Sequence, residues 1–567
     1  MLVAPAGYGK TTLAEQWVAR DGRRGAWFRA RPASVDVAAL ALGIAKASLA
    51  IVQDCDTRLR AHLKAVPAAP DRVATLAEIL GEDLETWPTS AWLVIDEYEA
   101  IAGAAEAEEL VGSLVVVSQI RLVITSRQRP SWVDSRDILY GSVLELEQGD
   151  LAMDSHEAED VLAERSPSSA SGLAKLAHGW PAVIGLASVL PPEIEGSEPV
   201  PEALYRFFAE EVFTALGEEV AAGLAVLAEA PVLDRDLAVV LLGEEAADHV
   251  CTTAIEMGVL VEREENLDLH PLARAFLEDR RAVGGDMPGA DVAERCIDHY
   301  RRARDWDAAF DVISRRGVHH ALAGLLESAL DDLLETARLS TIETWCALAG
   351  DWGIDDALFD LARAEVALRH GRHTEAQVLA QSAAARGSIL AFRALAIAGL
   401  AAHLASREED ALELYRRAEA AGRNDAERRD ALWGQLLCAI ELELPEATQS
   451  IEDLVASAST ADPREVVRSA GCRLNYQLHF GALDLADADG AAELLDSLND
   501  PIAVASFQCL YAAALSLSAR YPEARDVSNG RCRLFVAIAL HSQLRGFCGP
   551  MQRRPPDLGH GSALSMR

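Results

Sequence analysis

Basic residues are scarce in this chain: 52 lysines and arginines stand against 89 aspartates and glutamates over 567 residues, a formal net charge of −37. So acidic a body repels a polyanion, and sequence-specific DNA binding would need a local basic module. Cysteine is sparse too, nine in all, with no Cys-x-x-Cys pair and no histidine cluster in the sequence around them. That excludes a disulfide framework and the usual zinc-finger spacings, and it fits reduced thiols in a cytoplasmic protein. Long apolar runs are missing as well. The richest, "VDVAALALGIAKASLAIV", carries Asp36 and Lys46, so no membrane span is expected. Lys10 interrupts the apolar start, which excludes a secretory signal.

What is present falls into two textures, and the length suggests roughly three or four domains. Up to about residue 280, strand-like runs ("GAWFRA", "AWLVID", "RLVITSR") alternate with helical stretches. This is the pattern of a parallel sheet with helices on its faces. Beyond it strands disappear, and Ala, Leu, Glu and Arg recur at helical spacing. The helical half repeats itself: Ala376, Ala411 and Ala447, each beside a short polar turn, are spaced by 35 and 36 residues. That is close to the roughly 34 of a tetratricopeptide unit, whose stacked helix pairs form a solenoid. An ordinary helical bundle with alanine-rich interfaces is the alternative.

The chemistry is concentrated near the start, where "APAGYGKTTL" fits a phosphate-binding loop. Gly7, Tyr8 and Gly9 form the turn, Lys10 is placed to reach the β/γ-phosphates of ATP or ADP, and the Thr11 hydroxyl is placed to hold Mg²⁺, with Thr12 beside it. "AWLVIDEYE" delivers Asp96 to a strand end, where a carboxylate can hold the metal through water. Its neighbour Glu97 is the candidate catalytic residue, orienting or deprotonating an attacking water. A third strand ends at Thr125, Ser126 and Arg127, and Arg127 reads either as a γ-phosphate sensor or as a surface arginine capping a strand. Only Met1, Leu2 and Val3 precede the loop, so the expectation is either a true start upstream or a shortened copy.

These stretches, taken in order with "VLELEQGDLAMDSHEAEDVLAER", "HGWPAVIGLA" and "LHPLARAFLEDR", resemble the ATPase module of the large MalT-like, LuxR-type regulators. Those regulators belong to the signal-transducing ATPases with numerous domains. The resemblance covers residues 1 to about 280, and the repeats that follow resemble the family's sensor region. It implies a P-loop ATPase domain at 1–150, a small helical domain at 151–200, a winged-helix-like domain at 201–283, tetratricopeptide-like repeats at 284–527 and an irregular basic tail at 528–567. It further implies that Pro181 packs beside the adenine and that His270 touches the β-phosphate of ADP. From the residues alone, Pro181 is equally a first-turn helix proline and His270 a core histidine. The family's usual C-terminal helix-turn-helix is not visible, so no specific DNA binding is expected of this chain. The expected function is an ATP/ADP-gated switch with at most slow ATPase activity. A small-molecule inducer or a protein would be sensed on the repeats, and self-association would follow ATP binding. The alternative is an interaction scaffold with a degenerate nucleotide site.

Overall fold

A computed structural model describes residues 1–20, 23–65, 71–163, 179–182, 184–185, 216–257, 259–263, 266–269, 273–274, 276–277, 290–457, 462–498 and 501–529. They fall into two compact units, Met1–Leu63 with Pro70–Phe359, and Lys64–Ala69 with Asp360–Arg567. The expected boundaries at 150, 200 and 283 all lie within the first unit. His270 and nearly all of the expected tail lie outside the described residues.

The first unit begins with a five-stranded parallel sheet of β1 (Leu2–Val3), β2 (Arg24–Arg29), β3 (Ala91–Asp96), β4 (Arg121–Ser126) and β5 (Leu146–Glu147), in the order β2-β3-β4-β1-β5. Side chains alternate across a strand, and β3 uses both faces. Leu93 and Ile95 join a core with Leu40, Ile44, Leu76, Leu80 and Leu110, while Val94 packs with Leu2, Ala14 and Val18. A strand covered on both sides must be apolar throughout, which is why "AWLVI" lacks an alternating pattern. Helix α1 (Lys10–Ala19) lies on one face; α2 (Val37–Ser48) and the helices Arg72–Asp83 and Ala105–Val117 supply the other.

A buried polar contact ties this layer to the helices after residue 290. Asp36, only 3% exposed, caps α2 through Ala38 N–H at 3.0 Å. Its second oxygen accepts from Ser340 Oγ at 2.7 Å, Thr341 N–H at 3.1 Å and Thr341 Oγ1 at 2.9 Å. One carboxylate therefore serves the positive ends of two helices, α2 and Leu339–Asp351. Between these parts lie the helices Glu218–Leu227, Arg235–Leu242 and Glu244–Glu256, followed by an antiparallel pair, β6 (Leu260–Arg263) and β7 (Asn266–Leu269).

From residue 290 onward the described residues are helical, and a recurring turn punctuates them. Arg304, Ala337, Gly371, Ser406, Glu443, Gly481 and Ala519 all have positive φ. Their separations of 33, 34, 35, 37, 38 and 38 residues define the repeat. At six of the seven, the next residue's N–H bonds a carbonyl five positions back, as in Arg407 to Ala402 at 2.9 Å and Arg520 to Leu515 at 2.9 Å. This is the Schellman closure of a helix end. Ala376, Ala411 and Ala447 are fully buried near the start of the helices that follow such turns. In the second unit, Tyr415 lies against Gly434, where an added Cβ would stand 2.4 Å from the Tyr415 ring. Close helix approach there requires glycine.

Candidate functional site

The loop between β1 and α1 is built by backbone conformation. Gly7 has φ +81° and Gly9, which caps α1, has φ +70°, so the loop turns through the left-handed region that glycine adopts without cost. The N-terminus of α1 then presents its free N–H groups at the loop, a ready anion site. Lys10 folds inward, with Nζ donating to the Ala4 and Pro5 carbonyls at 2.8 and 2.9 Å. Burial lowers its pKa; Glu99, Asp96 and Glu97 act against that shift, and Arg127 reinforces it.

Thr11 and Asp96 lie together. Thr11 Oγ1 donates to Asp96 Oδ1 at 2.9 Å, although 85 residues separate them. Because β4 lies between β1 and β3, its tip also reaches the same carboxylate: Thr125 Oγ1 donates to Asp96 Oδ1. A hydroxyl and a buried carboxylate on one spot are hard oxygen donors of the kind Mg²⁺ takes alongside phosphate oxygens. The donor set therefore fits the metal. Thr12 is exposed on the first turn of α1.

Glu97 has φ 55°, unusual for a residue with a side chain, and its N–H donates to Thr125 Oγ1 at 3.2 Å. Its carboxylate is held by Arg29, at 2.6 Å, and Arg29 also reaches Asp268 of β7 at 2.9 Å. Arg127 pairs with Glu99, Nε to Oε1 at 2.9 Å, and is largely exposed. Arg29 and Asp268 escaped sequence reasoning, because an arginine at the end of "GAWFR" has no distinguishing neighbour.

Residues 179–182 dock onto the loop. Trp180 Nε1 donates to the Ala6 carbonyl at 3.2 Å, Ala182 N–H donates to the Gly7 carbonyl at 3.1 Å, and the Tyr8 and Trp180 rings stack with centroids 6.3 Å apart. A Cβ on Gly7 would lie 2.7 Å from Trp180 Nε1, so this contact too demands glycine. Gln148 Nε2 donates to the Tyr8 hydroxyl at 2.7 Å. Pro181 is thereby brought beside the loop, between two residues that touch it. Trp180 was the unrecognised anchor, adjacent to the proline that the sequence singles out.

No family model matches the chain. It is 24% identical over 448 residues to the HTH-type transcriptional regulator MalT of Yersinia pestis (strain Pestoides F), covering 68% of this chain and 49% of the relative. It is 22% identical over 450 residues to MalT of Cronobacter sakazakii, with the same coverage. The chain thus spans about half the length of the curated relatives it matches. Among solved structures, it superposes on the signal transduction ATPase with numerous domains and a tetratricopeptide repeat sensor from Pyrococcus horikoshii with a TM-score of 0.69, at 15% identity, over 95% of this chain and 81% of that one. The chain is thus similar in sequence to MalT and shares its fold with a solved signal transduction ATPase with numerous domains.

Proposed function

We propose that this chain is the nucleotide-gated switch and sensor portion of a MalT-like regulator. The observation that carries the reading is the convergence of Thr11, Asp96 and Thr125 beside a glycine loop that Trp180 and Ala182 contact. ATP or ADP would lie on the loop, with phosphates against Lys10 and the N-terminus of α1, Mg²⁺ between Thr11 and Asp96, and adenine beside Pro181. Glu97 orients the attacking water in a slow, regulatory hydrolysis.

The three helices and hairpin of residues 218–269 support the winged-helix reading. The Arg29 bridge from Glu97 to Asp268 supplies a contact through which that hairpin could respond to the nucleotide. ADP would hold the contact, and ATP together with a small molecule or protein on the repeats would release it. Leu139, Tyr140 and Leu144, exposed between β4 and β5, support self-association in the released state.

Hydrogen exchange on the intact chain tests the switch. ADP and a non-hydrolysable ATP analogue should both protect residues 5–13, but only ADP should protect β6 and β7. Identical patterns for the two nucleotides contradict gating, and no response to either favours the scaffold reading.

A further inference from the structure

In the second unit, the helices Ala391–Leu404, Glu408–Ala421 and Asp425–Glu441 follow one another. His403 near the end of the first, Glu408 at the start of the second and Cys438 near the end of the third come together at one place. One ligand-capable atom from each lies within 4.8 Å of the other two. His403 Nδ1 and Glu408 Oε2 are 2.7 Å apart; their side chains are 20% and 16% exposed, and Cys438 is fully buried. Spacing in the sequence concealed this, because the three residues come from separate helices rather than a Cys-x-x-Cys motif.

We propose that His403, Glu408 and Cys438 form a zinc site that pins successive sensor helices together. An imidazole nitrogen, a carboxylate oxygen and a thiolate sulfur are all zinc donors, and the mixture of soft and hard ligands favours zinc over magnesium or calcium. Tetrahedral coordination at zinc places such ligand atoms about 3.3–3.8 Å apart. Closing the cluster from its present spread therefore needs movements of only about 1 Å, and the His403–Glu408 contact must open slightly. Metal entry releases the thiol proton, and any imidazolium proton, to solvent. The fourth position falls to water or to Glu441. That residue lies three positions after Cys438 on the same helix, and its charge bears on both His403 and Cys438.

Burial first, and then the charge of Glu408, hold the Cys438 thiol protonated without metal. For His403, burial opposes the charged ring, but the hydrogen bond and charge of Glu408, with the charge of Glu441, together outweigh it and raise the pKa. A divalent cation would replace both protons with one ion. The partial exposure of His403 and Glu408 gives it a way in, and the site lies within repeats and far in sequence from the nucleotide loop. The proposal is therefore independent of the nucleotide reading.

The test uses the intact chain, stripped with chelator, desalted and titrated first with Co²⁺ and then with Zn²⁺. One equivalent of Co²⁺ should give a thiolate-to-cobalt charge-transfer band, which Zn²⁺ should bleach. Cys438→Ser should abolish the band, His403→Gln should weaken zinc binding at least tenfold, and Cys472→Ser should change neither. Circular dichroism reports whether each variant is folded; if Cys438→Ser is not, His403→Gln decides alone. Absence of the band at stoichiometric cobalt, its survival in Cys438→Ser, or unchanged zinc affinity in His403→Gln would overturn the proposal.

Discussion

Thr11 and Asp96 share a 2.9 Å hydrogen bond across two different elements of the sheet layer, the first turn of α1 and the end of β3. This contact sets a hydroxyl and a buried carboxylate, oxygen donors of the kind Mg²⁺ takes, side by side next to the glycine-rich loop. Glu97, the next residue, pairs with Arg29 instead, so the adjacent carboxylates have different partners.

Their roles should separate in the same way. Glu97→Gln should lower ATP hydrolysis by about 10²-fold or more while nucleotide affinity stays within about threefold, since general-base assistance contributes on that scale. Asp96→Asn should instead weaken binding in the presence of Mg²⁺ far more than in its absence. Steady-state hydrolysis and fluorescent-nucleotide titrations with and without EDTA measure both. Parallel losses in the two variants would contradict the division.

Arg29 gives a second expectation. Its side chain is 47% exposed, and its partners Glu97 and Asp268 are 41% and 28% exposed. Pairs so accessible to water contribute about 0.2–1 kcal/mol. Arg29→Met should therefore raise basal hydrolysis by up to about fivefold by freeing Glu97, and Asp268→Asn should act in the same direction. A rate falling tenfold or more in Arg29→Met would mean that the arginine serves the reaction itself.

Asp36 is a buried counterpart and should cost more to remove. Asp36→Ala deletes a helix cap, worth about 1 kcal/mol, and leaves the buried Thr341 N–H without its acceptor, a further 1–3 kcal/mol or so. A loss of about 2–4 kcal/mol in urea unfolding is expected, with Asp36→Asn milder because it keeps one oxygen. A change below about 0.5 kcal/mol would show that Ser340 and Thr341 find other partners readily.

The sequence made the sheet and its loop legible because both are written locally. Apolar runs of about six residues ending in a polar residue mark buried parallel strands, and Gly7 and Gly9 mark the turn. Asp36 was visible only as an interruption in an apolar run. Its acceptor role depends on Thr341, 305 residues away, and nothing local announces that. Arg29 and Asp268 lie 239 residues apart and escaped for the same reason. In the repeats, alanines at positions 376, 411 and 447 and the short polar turns beside them revealed the period, whereas the left-handed residue in those turns was hidden. Ser406, Glu443 and Ala519 adopt the left-handed conformation without the glycine that usually signals it.

Titration of the intact chain with fluorescent ADP and ATP in the presence of Mg²⁺, beside Lys10→Ala, tests the central claim most directly. The Lys10 ammonium stands inside the loop, and no other lysine or arginine follows before Arg20. Charge-assisted bonds to phosphate of this kind contribute about 1.5–3 kcal/mol each. The account predicts saturable binding by the unmodified chain and a loss of at least about tenfold to a hundredfold in Lys10→Ala, with the variant still folded by circular dichroism. No binding by the unmodified chain, or equal binding by Lys10→Ala, would contradict it.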